Sequence, residues 1–403
     1  MEQPVAAIEF GSKKMKLVVG YELQGKVYVL YSLVKPYGRI IEYGNFIDTP
    51  KLIQSVSEIK QINDASAKLH LNIGDSLLAL PPYGLQIFNT RQVTTVISEE
   101  GRIGQLDLKN IYSLIKNSSA PLNSELIDII PEVFILDQGR TSALPPIGQN
   151  SSTLTVQAKV HTLPKHIGYD YQTALINGGI NVKKCVVAPF AIAELIATEQ
   201  EYPTDYFLCD IGSGATTVSL VGDKQLFDSR YIEWGGDRIT ERIIEQFNVG
   251  EEKAEKIKFL YGIDKREMNF KAPVCSYFDA DGNEIQYFTS DLNVLIKKEL
   301  EIFVKSLNET INSLIEGYPP NFKGMPMILS GGGAQLKGLV EYVEAKIPCE
   351  YIKIFTPKNL GARNPTFTNC LGMILVHSHY PNAYDDNHIK INKVTRESVE
   401  GGK

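Results

Sequence analysis

Asp210 opens the segment Asp210-Ile211-Gly212-Ser213-Gly214-Ala215-Thr216, an acid followed at once by a glycine-rich turn. Residues 206–209 before it can fill a buried strand, and residues 216–221 after it are β-branched and apolar, a returning strand. A strand, an acid, a turn of small residues and a second strand suit a phosphate. Glycines let backbone N–H groups close around anionic oxygens, and an aspartate can hold a hydrated divalent cation beside them. A tight hairpin with an acid at its mouth is the alternative. The pattern recurs near the N-terminus. With Glu9 laid on Asp210, Gly11 falls on Gly212, Ser12 on Ser213, and Leu17-Val18-Val19 on Val218-Ser219-Leu220. This is an internal repeat, and two such hairpins across a cleft could grip one polyphosphate from both sides.

Two further glycine clusters carry the same kind of signal. Trp234-Gly235-Gly236-Asp237 precedes a helical pattern of Ile239, Ile243, Ile244 and Phe247. Glycines at a helix start let phosphate approach the free N–H groups; a plain strand-to-helix turn is the alternative. Residues 327–330 form a buried strand that runs into Gly331-Gly332-Gly333, with a helix from Leu336. Strand, glycines and helix again admit a ligand, without the spacing of a dinucleotide fold or the Gly-Lys-Ser/Thr of a P-loop. Glu255 and Lys258 share one face of a helix over 251–261 and, from spacing alone, form a solvated ion pair. His161, on a strand beside Val160, is a satisfied, partly buried histidine. Asp279-Ala280-Asp281-Gly282-Asn283 looks like a calcium loop, but its glycine comes too early and no acid stands at the twelfth position.

The elements that must position these groups alternate along an α/β chain. The 403 residues are enough for two or more sub-domains with real cores. A hydrophobic content of 43% and a charged content of 22% are ordinary for a soluble protein. A formal charge of −6 and a pI near 5.7 argue against a nucleic-acid partner, which demands basic surface. Five cysteines without a Cys-x-x-Cys pair are buried thiols of a reducing cytosol. No secretory signal is visible, and no apolar run approaches the roughly 20 residues that span a bilayer.

In order, the pattern predicts a hairpin over 5–20, strands over 27–34 and 40–47, a helix over 51–69 on Ile53, Val56, Ile59 and Ile62, and a strand over 76–80. Pro81-Pro82 then breaks the chain. A small module follows, with strands over 87–97, 132–136 and 153–161 and a helix over 107–117 capped by Asp107. A helix over 166–177 stops at Gly178-Gly179, and a strand over 182–188 leads into a helix opened by Pro189. Beyond the second hairpin come the helices already described and a hairpin over 269–288. A long helix to Ile315, capped by Thr289 or Ser290, and a final helix over 369–378 complete the chain.

The two acid-x-Gly-Ser hairpins, Trp234-Gly235-Gly236-Asp237, the Glu255-x-x-Lys258 helix and the segment from Leu329 to Leu339 stand in the order of the actin/Hsp70/sugar-kinase superfamily. The chain resembles that superfamily from Val5 to Tyr380. Ile130-Pro131-Glu132-Val133-Phe134-Ile135-Leu136-Asp137, followed by Pro146-Ile147-Gly148, resembles a stretch of the inserted sub-domain of one branch, the bacterial cell-division family FtsA. The resemblance implies an actin-like two-lobe ATPase fold with a small inserted αβ, SHS2-like sub-domain. It divides the chain into a first-lobe core over 1–82, the insertion over 83–163, and the first lobe again over 164–204. The second-lobe core covers 205–236, a further sub-domain 237–295, and the second lobe resumes over 296–366. A return helix over 367–381 and a tail over 382–403 follow.

The same resemblance implies ATP and Mg²⁺ between the lobes. Gly11, Ser12 and Lys13 match the first phosphate loop, and Asp210, Gly212, Ser213, Gly214 and Thr216 the second. Gly235 and Gly236 lie near the phosphates, Glu255 and Lys258 near ribose and adenine, and Gly331, Gly332, Gly333 and Gln335 form the adenosine loop. Glu9 and Asp210 face the metal. Family members form filaments and link the FtsZ ring to the membrane. In them the region matching 237–295 receives the FtsZ tail, and the insertion contacts later division proteins. A cytoplasmic protein peripheral to the inner face of the membrane at the septum is implied.

Departures qualify this. Glu9 replaces the usual aspartate and is one methylene longer, and Ala215 and Thr217 replace a threonine and an aspartate. Related ATPases place glutamate before Pro189, where it helps position the attacking water; this chain has Ala188. A positioned base contributes about 10²–10⁴-fold, so at most a weak ATPase is expected. Residues 382–403 lack Trp, Phe and Leu, read as disordered, and leave no membrane anchor evident. Two other functions fit the superfamily: a type IV pilus assembly protein, against which residues 130–148 argue, and an active small-molecule phosphotransferase, which needs a catalytic carboxylate absent from 186–190.

Overall fold

The computed structural model describes residues 3–64, 69–118, 121–263, 272–278, 280–318 and 324–380. Strand β1 (Val5–Phe10) pairs antiparallel with β2 (Lys14–Leu23). It is apolar on both faces because both are covered, as in the buried strands of α/β proteins. The Gln24-Gly25 turn, with φ of 53° and 76°, leads into β3 (Lys26–Pro36); a two-residue turn of this sign matches the twist of a hairpin. The single strand expected over 40–47 is a miniature hairpin, β4 (Ile41–Glu42) and β5 (Asn45–Phe46), turning at Tyr43-Gly44.

The helix expected over 51–69 ends early. Helix α1 (Thr49–Ile59) is capped by the Asp48 carboxylate, which accepts from the Lys51 N–H at 3.1 Å. The chain then turns into β6 (Gln61–Asp64) and β7 (Leu69–Asn72), and β8 (Asp75–Leu80) pairs parallel with β1. Ile62 continued the helical spacing in sequence, yet it lies on β6 opposite Leu71, and both are buried.

The insertion contains β9 (Gln86–Thr95), α2 (Gln105–Ser118), β10 (Ser124–Ile135), β11 (Thr141–Ser142) and β12 (Thr153–Pro164). Its sheet has four strands in the order β11-β10-β12-β9, one more than expected. Strand β10 starts well before Glu132 because Pro131 is accommodated at a register shift, where a missing N–H costs no ladder bond. Asp107 sits inside α2, not before it, and its carboxylate accepts from the Gly104 and Ile97 N–H groups at 2.8 and 2.9 Å. Ile111, Phe134, Leu154 and Val156 anchor a core separate from those of the lobes. His161 is fully buried against Phe190, and its Nδ1 lacks a hydrogen-bond partner among the described residues, so the expectation of a satisfied, partly buried histidine is corrected.

Helix α3 (Lys165–Asn177), β13 (Asn181–Val187) and α4 (Ala188–Ala197) complete the first lobe, whose sheet runs β13-β8-β1-β2-β3. The second lobe begins with the meander β14 (Tyr206–Ile211), β15 (Thr216–Gly222) and β16 (Gln225–Ile232), the last unforeseen in sequence. Helices α5 (Gly236–Phe247) and α6 (Glu251–Tyr261), the hairpin β17 (Pro273–Phe278) and β18 (Glu284–Phe288), and α7 (Thr289–Leu314) follow. The cap of α7 is Asp291, which accepts from the Phe288 N–H at 2.8 Å; Thr289 and Ser290 lie within the helix. Strand β19 (Met327–Ser330) leads into a tight turn at Gly332–Gln335, so helix α8 (Leu339–Glu344) starts later than Leu336, and β20 (Ile352–Ile354) ends the sheet.

The second sheet runs β16-β15-β14-β19-β20. This repeats the first. In each, three antiparallel strands form a meander, the first of them pairs parallel with a fourth, and the fourth pairs parallel with a fifth. The short repeat in the sequence is thus the visible part of a duplicated sheet, and its two turns come to equivalent places.

Helix α9 (Thr368–His379) returns to the first lobe and packs on α4. A Cβ on Gly372 would stand 1.9 Å from the Ala191 carbonyl oxygen. Gly372→Ala should therefore destabilise by about 2–3 kcal/mol through overpacking, read as a lower midpoint in urea; an unchanged midpoint would show that the helices separate freely. Among the described residues no helix is long and apolar enough to cross a membrane. The reading of residues 382–403 lies outside the described residues.

Candidate functional site

The two repeated turns face each other across a cavity of about 650 Å³ between the lobes. Each is closed by the same bond: the Gly11 N–H donates to the Lys14 carbonyl at 3.0 Å, and the Gly212 N–H to the Ala215 carbonyl at 2.9 Å. Gly11, Ser12 and Lys13 line the cavity from one side, and Asp210, Gly212 and Ser213 from the other. The turns nearly touch, since a Cβ on Gly214 would lie 2.6 Å from the Ser12 hydroxyl. Gly331, Gly332, Gly333 and Gln335 line the far end with Glu255, Lys258 and Gly236. Gly331 adopts φ of 80°, and a side chain there would meet the Ile211 carbonyl and the Asp210 carboxylate.

Three expectations are corrected. Thr216 is fully buried, donates to the Trp234 carbonyl at 2.8 Å and does not line the cavity; it holds the turn from behind. The start of α5 does not offer free donors, because the Gly236 and Asp237 N–H groups donate to the Gly212 and Ser213 carbonyls at 3.0 and 2.9 Å. Gly235 is buried beneath the second turn, where a Cβ would come within 2.3 Å of the Ser213 oxygen. Glu255 and Lys258 do form a pair, but Lys258 is 4% exposed and its ammonium also donates to the Gly236 carbonyl and Thr240 hydroxyl at 3.1 and 2.8 Å. Burial lowers the Lys258 pKa, while Glu255 opposes it.

Glu9 and Asp210 occupy equivalent positions and both line the cavity. Between them stands Lys16, whose ammonium pairs with the Glu9 carboxylate. Lys16 was missed in the sequence, although the hairpin register that puts it directly opposite Glu9 was readable. Its burial works against its charge, but Glu9 and then Asp210 outweigh that and its pKa is raised. Asn364 was also missed; its side-chain amide pairs reciprocally with that of Gln335, at 3.0 and 3.2 Å, from a distant loop that no pattern marks.

Burial, followed by repulsion from Glu9, lifts the Asp210 carboxyl from 3.8 to about 7, with Lys16 opposing. The native state keeps this proton to a higher pH than the unfolded chain does. Stability is therefore lost as pH rises from about 3.8 through about 7. Asp210→Asn should melt a few degrees higher than the parent at pH 8 without ligand, with a smaller gain at pH 5. A gain independent of pH would contradict this origin.

The family model for cell division protein FtsA matches residues 207–372, from β14 into α9. FtsA of Enterococcus faecalis is 24% identical over 373 residues, covering 91% of this chain and 82% of that protein. The chain is similar to the FtsA family over most of its length, at an identity that marks a divergent relative. Solved structures agree on its actin-like fold. A PilM–PilN type IV pilus biogenesis complex superposes with a TM-score of 0.61 at 17% identity, covering 94% of this chain and 98% of that one. MreB5 of Spiroplasma citri, solved with AMPPNP, gives 0.51 at 12% identity, covering 94% and 96%. At these identities the likeness is one of fold. The FtsA relationship rests on the sequence matches.

Proposed function

We propose that this protein is an FtsA-type, ATP-binding, actin-like division scaffold that polymerises, links the FtsZ ring to the membrane and recruits later division proteins, with weak or absent hydrolysis. The observation that carries the reading is the pair of equivalent turns, closed by equivalent bonds, facing one cavity of about 650 Å³. A polyphosphate fits between the Gly11–Lys13 and Asp210–Gly214 turns. Ribose and base fit toward Glu255, Lys258, Gly331, Gly332, Gly333 and Gln335. Mg²⁺ is compatible with the donors: it takes most of its ligands from phosphate and water, with one or two carboxylates, and Glu9 and Asp210 supply hard oxygens to the same cavity. Lys16 claims one Glu9 oxygen, so Asp210 has the freer carboxylate.

The reading keeps the sub-domain limits given above. It assigns the FtsZ tail to 237–295, later division proteins to 83–163, and a peripheral place at the inner face of the membrane at the septum, with the anchor supplied from beyond the described residues or by a partner. Sequence relatives that are division proteins favour this over pilus assembly. Co-sedimentation tests it: the protein should pellet with FtsZ filaments and lose that association when only the FtsZ C-terminal tail is removed. Retention after tail removal would overturn the partner assignment, and rapid ATP consumption with a sugar acceptor would favour the phosphotransferase.

A further inference from the structure

We propose that Lys13 and Arg39 on the first lobe, with Asp237, Glu241 and Glu251 on the second, form an ion-pair latch across the mouth of the cleft that slows nucleotide escape. The proposal rests on the nucleotide reading above. The Lys13 ammonium lies 2.7 Å from Glu251 and 3.1 Å from Asp237, and the Arg39 guanidinium 2.6 Å from Glu241 and 3.5 Å from Asp237. All four contacts join one lobe to the other.

The cations are mounted on one unit. The Tyr37 N–H donates to the Lys13 carbonyl at 3.0 Å, and the Ile40 N–H to the Ser12 carbonyl at 3.1 Å, so the first phosphate turn and the Arg39 loop move together. The acids are mounted on another. Asp237 stands in the first turn of α5 and Glu251 in the first turn of α6, where the helix dipole favours negative charge. Asp237 is also tied by its own N–H to the Ser213 carbonyl of the second phosphate turn.

Isolated surface pairs contribute little. Here, however, two cations share one acid whose side chain is only 5% exposed, so with the lobes together the pairs are shielded from water, and separating the lobes would remove both counter-charges at once. Burial opposes the charge of Lys13, but Glu251 and Asp237 outweigh it and raise its pKa; Arg39 is raised in the same way by Glu241 and Asp237. Lys13, Asp237 and Glu251 line the cavity whereas Arg39 and Glu241 do not, which puts the ion pairs at its rim. Those two residues therefore separate the latch from the binding machinery.

The experiment follows release of N-methylanthraniloyl-ATP from the full chain by stopped flow, chased with unlabelled ATP. Arg39→Met and Glu241→Gln should each speed release about three- to tenfold. The double variant should be no faster than Arg39→Met alone, because Glu241→Gln removes only a contact that Arg39→Met already removes. Raising salt to about 0.5 M should speed release from the parent more than from the double variant, which keeps only the Lys13 pairs. Unchanged release in both single variants, additive effects, or a salt-insensitive parent would overturn the latch. A parent that binds no labelled ATP would instead overturn the nucleotide reading. The latch would then be judged by small-angle scattering of the ligand-free chain: a larger radius of gyration in Lys13→Met/Arg39→Met supports it, and an unchanged one refutes it.

Discussion

Gly235→Ala should lower ATP affinity at least about a hundredfold, a loss of roughly 3 kcal/mol, while the chain stays folded. A Cβ at Gly235 would stand 2.3 Å from the Ser213 oxygen, 2.6 Å from the Ser213 carbonyl carbon and 2.7 Å from the Ala215 nitrogen. All three are backbone atoms of the second phosphate turn, so nothing flexible can move aside. The turn must shift, and the bonds from the Gly236 and Asp237 N–H groups to the Gly212 and Ser213 carbonyls would stretch or break. The rest of the lobe is secured elsewhere, by Trp234 stacked on Phe303 at 4.3 Å and by the core around Ile243 and Leu300. Isothermal calorimetry measures the affinity, and thermal melting shows that the fold persists. Gly250→Ala is the control: it lies at the start of α6, and a Cβ there meets nothing within 4 Å. Gly212→Val, which sequence alone suggests as a block to phosphate, should act through the same turn, since its Cβ would lie 2.9 Å from the Ala215 oxygen. Full affinity in Gly235→Ala would remove the second turn from the site.

What the sequence could and could not reveal follows from the range of each interaction. The acid and glycines of both turns were legible because a tight turn between two strands is a local event, written in consecutive residues. The duplicated sheet was legible only at its first hairpin. Strands β8 and β19 pair with β1 and β14 across long connections, and nothing in their own composition names the partner. Glu255 and Lys258 show the limit most clearly. Their spacing fixes the pair, but whether water surrounds it depends on α5, which brings Thr240 and the Gly236 carbonyl onto the ammonium. Thr216 failed for a related reason: alternation along β15 turns it away from the cavity toward Trp234. Ile62 misled because a helical spacing of three can continue by chance past a helix end, and only pairing with Leu71 reveals the strand. Lys16 could have been found by writing out the register of the first hairpin, whereas Asn364 could not, since its position depends on where a distant loop returns.

Ala188→Glu should raise ATP turnover at least about tenfold, toward the 10²–10⁴-fold range of a positioned base, with ATP affinity changed little. Ala188 opens α4 directly after β13, precedes Pro189, and lines the same cavity as Asp210 and the two turns. The backbone there is already helical and held by Pro189, so a longer side chain enters the cavity without a change of fold. A carboxylate at a helix start is also favoured by the dipole. ATP affinity should hold because the proposed phosphate contacts are made by backbone groups of the two turns, which the substitution leaves in place. Phosphate release under single-turnover conditions measures the effect, with Ala188→Gln as the control that fills the space without supplying a base. A rise in the glutamate variant alone would place the hydrolytic weakness of this chain at one side chain. Equal turnover in Ala188→Glu, Ala188→Gln and the parent would reject that explanation. The cause would then lie with the acids, since Lys16 pairs with Glu9 and leaves Asp210 as the freer carboxylate for the ion.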